Sequence, residues 1–94
     1  MDATELQMLY AAGERDFHNV DLSSARLSHI DLQGANLLRA NLRHANLRWV
    51  DLRQANLRWA DLRGADLSWA KLEGADLSSA NLKGAKMPDG KIHE

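Results

Sequence analysis

From Phe17 onward a large apolar residue recurs every fifth position: Leu22, Leu27, Leu32, Leu37, Leu42, Leu47, Leu52, Leu57, Leu62, Leu67, Leu72, Leu77, Leu82 and finally Met87. The fifteen units run without a gap over residues 15–89. Two places before each centre stands a small or β-branched residue, such as Val20, Ala25, Ile30, Ala35 or Val50, with Arg15 of the first unit the one departure. Apolar residues are therefore spaced alternately by two and three. A helix advancing 100° per residue would scatter them around its circumference. A straight strand would put alternate units on opposite faces. The pattern keeps its apolar residues together only where the chain turns a corner after each short extended piece. Repeated corners close a coil, and stacked coils bury the Ala and Leu columns.

The units themselves, as in "ANLRWADLRGADLSW" over residues 55–69, read A-(D/N)-L-x-x. This resembles the pentapeptide-repeat family, over about four-fifths of the chain. The opening "YAAGERDF" and the closing "MPDGKIHE" look like the ends of small bacterial, especially cyanobacterial, members. The resemblance implies an all-β solenoid, a right-handed quadrilateral β-helix with four units and hence twenty residues per coil. Fifteen units then make nearly four coils, about 18 Å tall at the spacing of stacked strands. Three segments are expected: an N-terminal helical cap at 1–14, the β-helix at 15–89 and a tail at 90–94. In the cap, Thr4 with Gln7 reads as a capping box, Leu6, Leu9 and Tyr10 share a face, and Gly13 ends the helix. Pro88-Asp89-Gly90 is a turn that stops the coil. The short tail leaves the C-terminal end the more exposed one, so an end-to-end homodimer through it is expected.

With a coil of twenty, residues n and n+20 stack. The position before each leucine gives the columns Asp21/Asn41/Asp61/Asn81, Asp16/Asn36/Asn56/Asp76 and Arg26/Asn46/Asp66/Lys86, which mostly interleave charge with amide. Asp31 over Asp51, followed by Lys71, is the exception. These short polar side chains are expected to bond backbone at the turns. Gly34, Gly64, Gly74 and Gly84 fall on one opposite pair of corners and Trp49, Trp59 and Trp69 on the other. Glycine tolerates the positive φ of a type II turn, so two alternating kinds of corner are expected.

Net charge is −1 and cysteine is absent, so composition selects neither nucleic acid nor disulfides nor a thiolate metal site. No segment reads as a signal peptide or a membrane span, and a cytoplasmic protein is expected. Residues 38–63 nevertheless hold six arginines against Asp51 and Asp61. Stacking gathers Arg43, Arg63 and Lys83 into one column, with His44, Arg48, Trp49 and Trp69 around the next corner. These seven residues form the candidate interaction surface, suited to an acidic or phosphate-bearing protein partner. The alternative is that arginine and tryptophan merely lie flat on the solenoid wall. Arg53 beneath Glu73 reads as a surface salt bridge.

Nucleic acid is not favoured, because Trp59 points away from Trp49 and Trp69. His18, His29, His44 and His93 do not converge as metal ligands, and no serine has a base beside it, so no cofactor, metal or catalytic residue is expected. The function expected is a non-catalytic, rigid interaction or structural module. The alternative implied by the resemblance is a DNA-gyrase-binding DNA mimic, the activity of longer members with strongly negative rods. This chain is short and positive about its waist.

Overall fold

A computed structural model describes all of residues 1–94. Its extents are 36 × 23 × 23 Å, a rod. Parallel bridges join Asp16 to Asn36, Asp21 to Asn41, Arg26 to Asn46 and Asp31 to Asp51, and continue at the same offset up to Lys86. Twenty residues therefore make one coil of four five-residue units. Between coils the leucine N–H donates to a carbonyl nineteen residues ahead, as from Leu22 to Asn41 at 2.8 Å. The next strand answers in reverse, Asn41 N–H donating to the Val20 carbonyl at 2.9 Å. Each bridge is a single residue, because the corners leave only three extended residues per side. The molecule is a solenoid without continuous strands.

Inside, the leucines from Leu22 to Leu67 are at most 1 % exposed, and Phe17 is 2 % exposed. Small residues at 35, 40, 45, 55, 60 and 65 fill the space between the leucine columns. The close fit follows from the two-residue offset within each unit, which points Ala and Leu inward and the Asp or Asn between them outward.

Corners are where expectation and structure part. Ten non-glycine residues, including Ser24, His29, Arg39, His44, Trp49, Gln54, Trp59 and Trp69, have φ between 57° and 67°, and Gly34, Gly64, Gly74 and Gly84 are close to them. The alternation of two corner types is therefore wrong: every corner through Gly84 has positive φ at the same place. Each is closed by the same bond, from the N–H of the small residue to the carbonyl of the preceding leucine, as from Ala25 to Leu22 at 3.1 Å. Left-handed backbone costs a non-glycine residue about 1 kcal/mol or more. Closure of the coil and the second bond at the corner, as from Ser24 N–H to the Arg43 carbonyl at 2.8 Å, offset that cost.

What glycine supplies at two corners is room. A Cβ on Gly64 would lie 2.5 Å from Nδ1 of His44, and one on Gly74 would lie 2.3 Å from Nε2 of Gln54. Gly34 has nothing within 4 Å. Gly64→Ala is expected to cost about 1 kcal/mol more than Gly34→Ala, since both have the same backbone but only the first must move a ring. Urea unfolding checks this, and adding His44→Ala is expected to remove the difference.

The two ends differ. At the N-terminus α1, Ala3–Ala11, lies over the first coil with Leu6 buried and Leu9 and Tyr10 packed beside it. Its cap is Asp2, which accepts from the Glu5 N–H at 2.8 Å, so the expected Thr4–Gln7 box is not what starts the helix. Asp2 sits two places nearer the terminus with its backbone already extended, which leaves Thr4 inside the first turn. At the other end of α1, Gly13 and Glu14 donate to Tyr10 and Leu9, the doubled bonding that a left-handed glycine allows. Tyr10 Oη donates to the Gln33 carbonyl at 2.7 Å, pinning α1 to the last side of the first coil.

At the C-terminal end the last corner shifts its positive φ to Gly90, and the tail doubles back. Ile92 pairs antiparallel with Lys86, and Gly84 N–H donates to the His93 carbonyl at 2.8 Å. That strap covers one corner alone. The N–H groups of Leu72, Gly74, Leu77, Ser79 and Leu82 find no partner, and those three leucines are only partly buried.

Candidate functional site

Outward side chains are held by the backbone in rows. At nearly every unit the Asp or Asn accepts the N–H two residues on: Asp21 from Ser23, Asn41 from Arg43, Asn46 from Arg48, Asp61 from Arg63. The residue entering each corner is thereby fixed, which is the backbone role expected of this position. Side chains also bond from coil to coil, Asn36 Nδ2 to Asp16 at 3.1 Å and Asn56 Nδ2 to Asn36 at 3.3 Å.

Two arginines fork onto the aspartate of their own unit. Arg63 reaches both oxygens of Asp61, at 2.9 and 2.6 Å, and Arg53 both oxygens of Asp51, at 2.9 and 2.8 Å. The hydrogen bonds from these guanidinium groups hold both carboxyls below the usual range, and both arginines are raised in turn. The expected Arg53–Glu73 bridge does not form. Asp51 lies two residues away on the same unit and matches the planar fork, whereas Glu73 is on the next coil. The same fork explains how Asp31 and Asp51 stack: the Asp51 charge is taken by Arg53 while Asp31 accepts from Gln33 N–H at 3.0 Å.

The seven candidate residues come together in pieces. Arg43 and Arg63 converge on Asp61, Arg43 at the longer distance of 3.9 Å. His44 lies over Gly64, as the near approach to that glycine shows. Trp49 and Trp69 stack with centroids 5.2 Å apart and planes within 8°. Lys83 and Arg48 enter no ion pair. The column also includes a residue the sequence reading left out: His29 stacks on Trp49 at 6.0 Å, again within 8°. Reading the twenty-residue register one coil further toward the N-terminus would have found it. Trp59 occupies the opposite corner with the Arg39 guanidinium 5.6 Å from its ring centroid, a cation lying on the wall. Trp49, Trp59 and Trp69 remain roughly half exposed.

Charge is divided unevenly among the sides of the rod. The two adjoining sides at 20–29, 40–49, 60–69 and 80–89 have six bases, at 26, 43, 48, 63, 83 and 86, against the aspartates at 21, 61, 66 and 89. The other two have five, at 15, 39, 53, 58 and 71, against the aspartates at 16, 31, 51 and 76 and Glu73, with Arg58 lying 3.9 Å from Asp76. No cavity opens anywhere, and nowhere do three or more His, Asp or Glu converge to hold a metal. No buried side-chain polar atom lacks a hydrogen bond. No helix is long and apolar enough to cross a membrane.

The repeat register also settles the chain's relationships. The family model for pentapeptide repeats matches eight copies, over residues 16–54 and 51–89. The chain belongs to the pentapeptide-repeat family. Among solved structures it is similar to HetL of Nostoc sp. strain PCC 7120, described as involved in regulation of heterocyst differentiation. The identity is 42 %, over 83 % of this chain and 43 % of HetL, with a TM-score of 0.55. It is similar to Rfr23 of Cyanothece 51142 at 31 % identity, over 84 % of this chain and 64 % of Rfr23, with a TM-score of 0.65. A pentapeptide repeat protein of the Arabidopsis thaliana thylakoid lumen is 25 % identical over 85 % of this chain, with a TM-score of 0.55. This pentapeptide-repeat chain thus spans less than half the length of HetL and about two-thirds of Rfr23. No match was found among curated proteins.

Proposed function

We propose that this chain is a rigid, non-catalytic module that works by presenting fixed rows of side chains to a protein partner. The observation that carries the reading is the outer surface: side chains locked two residues from an Asx bond, on a body without a concavity. Because the rows are already ordered, a partner meets a preorganised surface and little affinity is lost to immobilising it. Similarity to HetL and Rfr23 supports reading the coil as a right-handed quadrilateral β-helix. It supports no particular partner.

The test is capture from a lysate with two baits. One is the native chain; the other keeps every inward Ala and Leu and the Asp/Asn positions but has serine at its outward Arg, Lys, His and Trp. A protein retained by the native bait alone is the expected result. Identical capture by both baits would contradict the reading.

A further inference from the structure

We propose that the basic side of the rod docks an acidic, extended polypeptide segment. The corner bearing Arg43, Arg63 and Lys83 takes its carboxylates, and the His29–Trp49–Trp69 ladder bounds the strip. This rests on the interaction-module reading and names its partner by chemistry.

Charge is the first argument. Between the Arg43 corner and the ladder runs the column Arg26, Asn46, Asp66, Lys86, so the strip carries the six bases Arg26, Arg43, Arg48, Arg63, Lys83 and Lys86 against Asp66 and Asp89. Lys83, Arg48 and Lys86 have no ion-pair partner within 4.0 Å, and Arg43 has only the 3.9 Å approach to Asp61. Their charge is available to an incoming group. Small residues, Ser24, Gly64 and Gly84 on one corner and Ser28 and Ser68 on the other, keep long side chains off much of the strip.

The second argument is ligand type. Arg63 already holds a carboxylate in bidentate form on this surface, and the side chains of that pair are 43 % and 27 % exposed. Asp61 occupies that fork, so a partner's Asp or Glu is taken by Arg43 and Lys83 on the coils either side of it. Arg43 to Lys83 spans two coil rises, about 10 Å, or three residues of extended chain.

Nucleic acid fits less well. Base stacking needs free aromatic faces, and here His29, Trp49 and Trp69 cover one another's faces at 6.0 and 5.2 Å. The other two sides of the rod are charge-balanced and offer no basic track for a long phosphate backbone to follow.

The experiment titrates the full chain into a short fluorescein-labelled peptide of alternating Glu and Ser and reads anisotropy at low and at physiological salt. Binding that weakens with salt is expected. Arg43→Gln/Lys83→Gln is expected to weaken it about tenfold, and Arg53→Gln/Lys71→Gln, the same change of net charge on the other side, by no more than about twofold. Absence of peptide binding, equal loss in both variants, or tighter binding of a DNA oligonucleotide of equal charge would each overturn the proposal. A partner captured in the two-bait experiment while this peptide fails to bind would leave the module reading intact and remove this one.

Discussion

Leu57→Ala is expected to lower folding stability by about 3 kcal/mol, within the range of about 2–5 measured for buried leucines. Leu57 is fully buried and has Leu37 below it and Leu77 above it in its column. The surrounding coil cannot contract into the vacated space, because its perimeter is fixed by corner bonds such as Ala60 N–H to Leu57 at 3.0 Å and by inter-coil bonds such as Leu57 N–H to Asp76 at 2.8 Å. The cavity therefore persists. The loss is a large fraction of the stability of a chain this size, about 5–15 kcal/mol. Leu77→Ala, the same change one coil later, is expected to cost less than half as much, since Leu77 is only partly buried and nothing lies above it. Urea midpoints at unchanged m-value report both. Equal losses would mean that the last coil is as well covered as the third, contrary to the open edge at Leu72, Leu77 and Leu82.

Acid is expected to destabilise the rod steeply below about pH 4. Six aspartates are held below their ordinary value. Asp16 is lowered by hydrogen bonding from His18, Asp21 and Asp76 by Ser23 and Ser78, and Asp51 and Asp61 by the arginine forks. At Asp66 burial pushes upward, and the hydroxyl and N–H of Ser68 outweigh it. A carboxyl depressed in the folded state contributes its full stabilisation above its unfolded value, near 3.9, and loses it as pH falls through the lower folded value. All six act with the same sign, so the thermal midpoint is expected to hold between pH 7 and 5 and to fall as the pH drops from about 4 toward 2. Asp51→Asn/Asp61→Asn is expected to flatten the curve while lowering its plateau. A loss centred near pH 6 would contradict this assignment.

Much of the rod was legible because its rule is local and repeated. The leucine at every fifth place, the small residue two before it and the short polar residue between them specify inward and outward faces unit by unit, and the structure places all three as read. The n/n+20 columns followed from that register. What escaped depends on competition between near neighbours. Whether Arg53 reaches Asp51 or Glu73 is decided by two ångström-scale geometries that the letters do not distinguish. Corner type escaped for a different reason. Glycine is the ordinary marker of positive φ, but coil closure imposes that φ on every corner, Trp49 and His44 included. The glycine signal there is steric and comes from the coil before, through His44 and Gln54. His29 is legible in principle, since it occupies the rung beneath Trp49, but a histidine's ligand chemistry masks its role as a flat ring.

The basic side of the rod and the tryptophan ladder both require residues twenty apart to be neighbours, and this chain without cysteine allows a direct test. Trp49→Cys/Trp69→Cys places two cysteines one coil apart, about 5 Å, within reach of a disulfide, and they should cross-link within the monomer on oxidation. Trp49→Cys/Trp59→Cys, on opposite corners, should not. Failure of the first pair to close, or closure of the second within a monomer, would contradict a coil of twenty and with it the basic side of the rod.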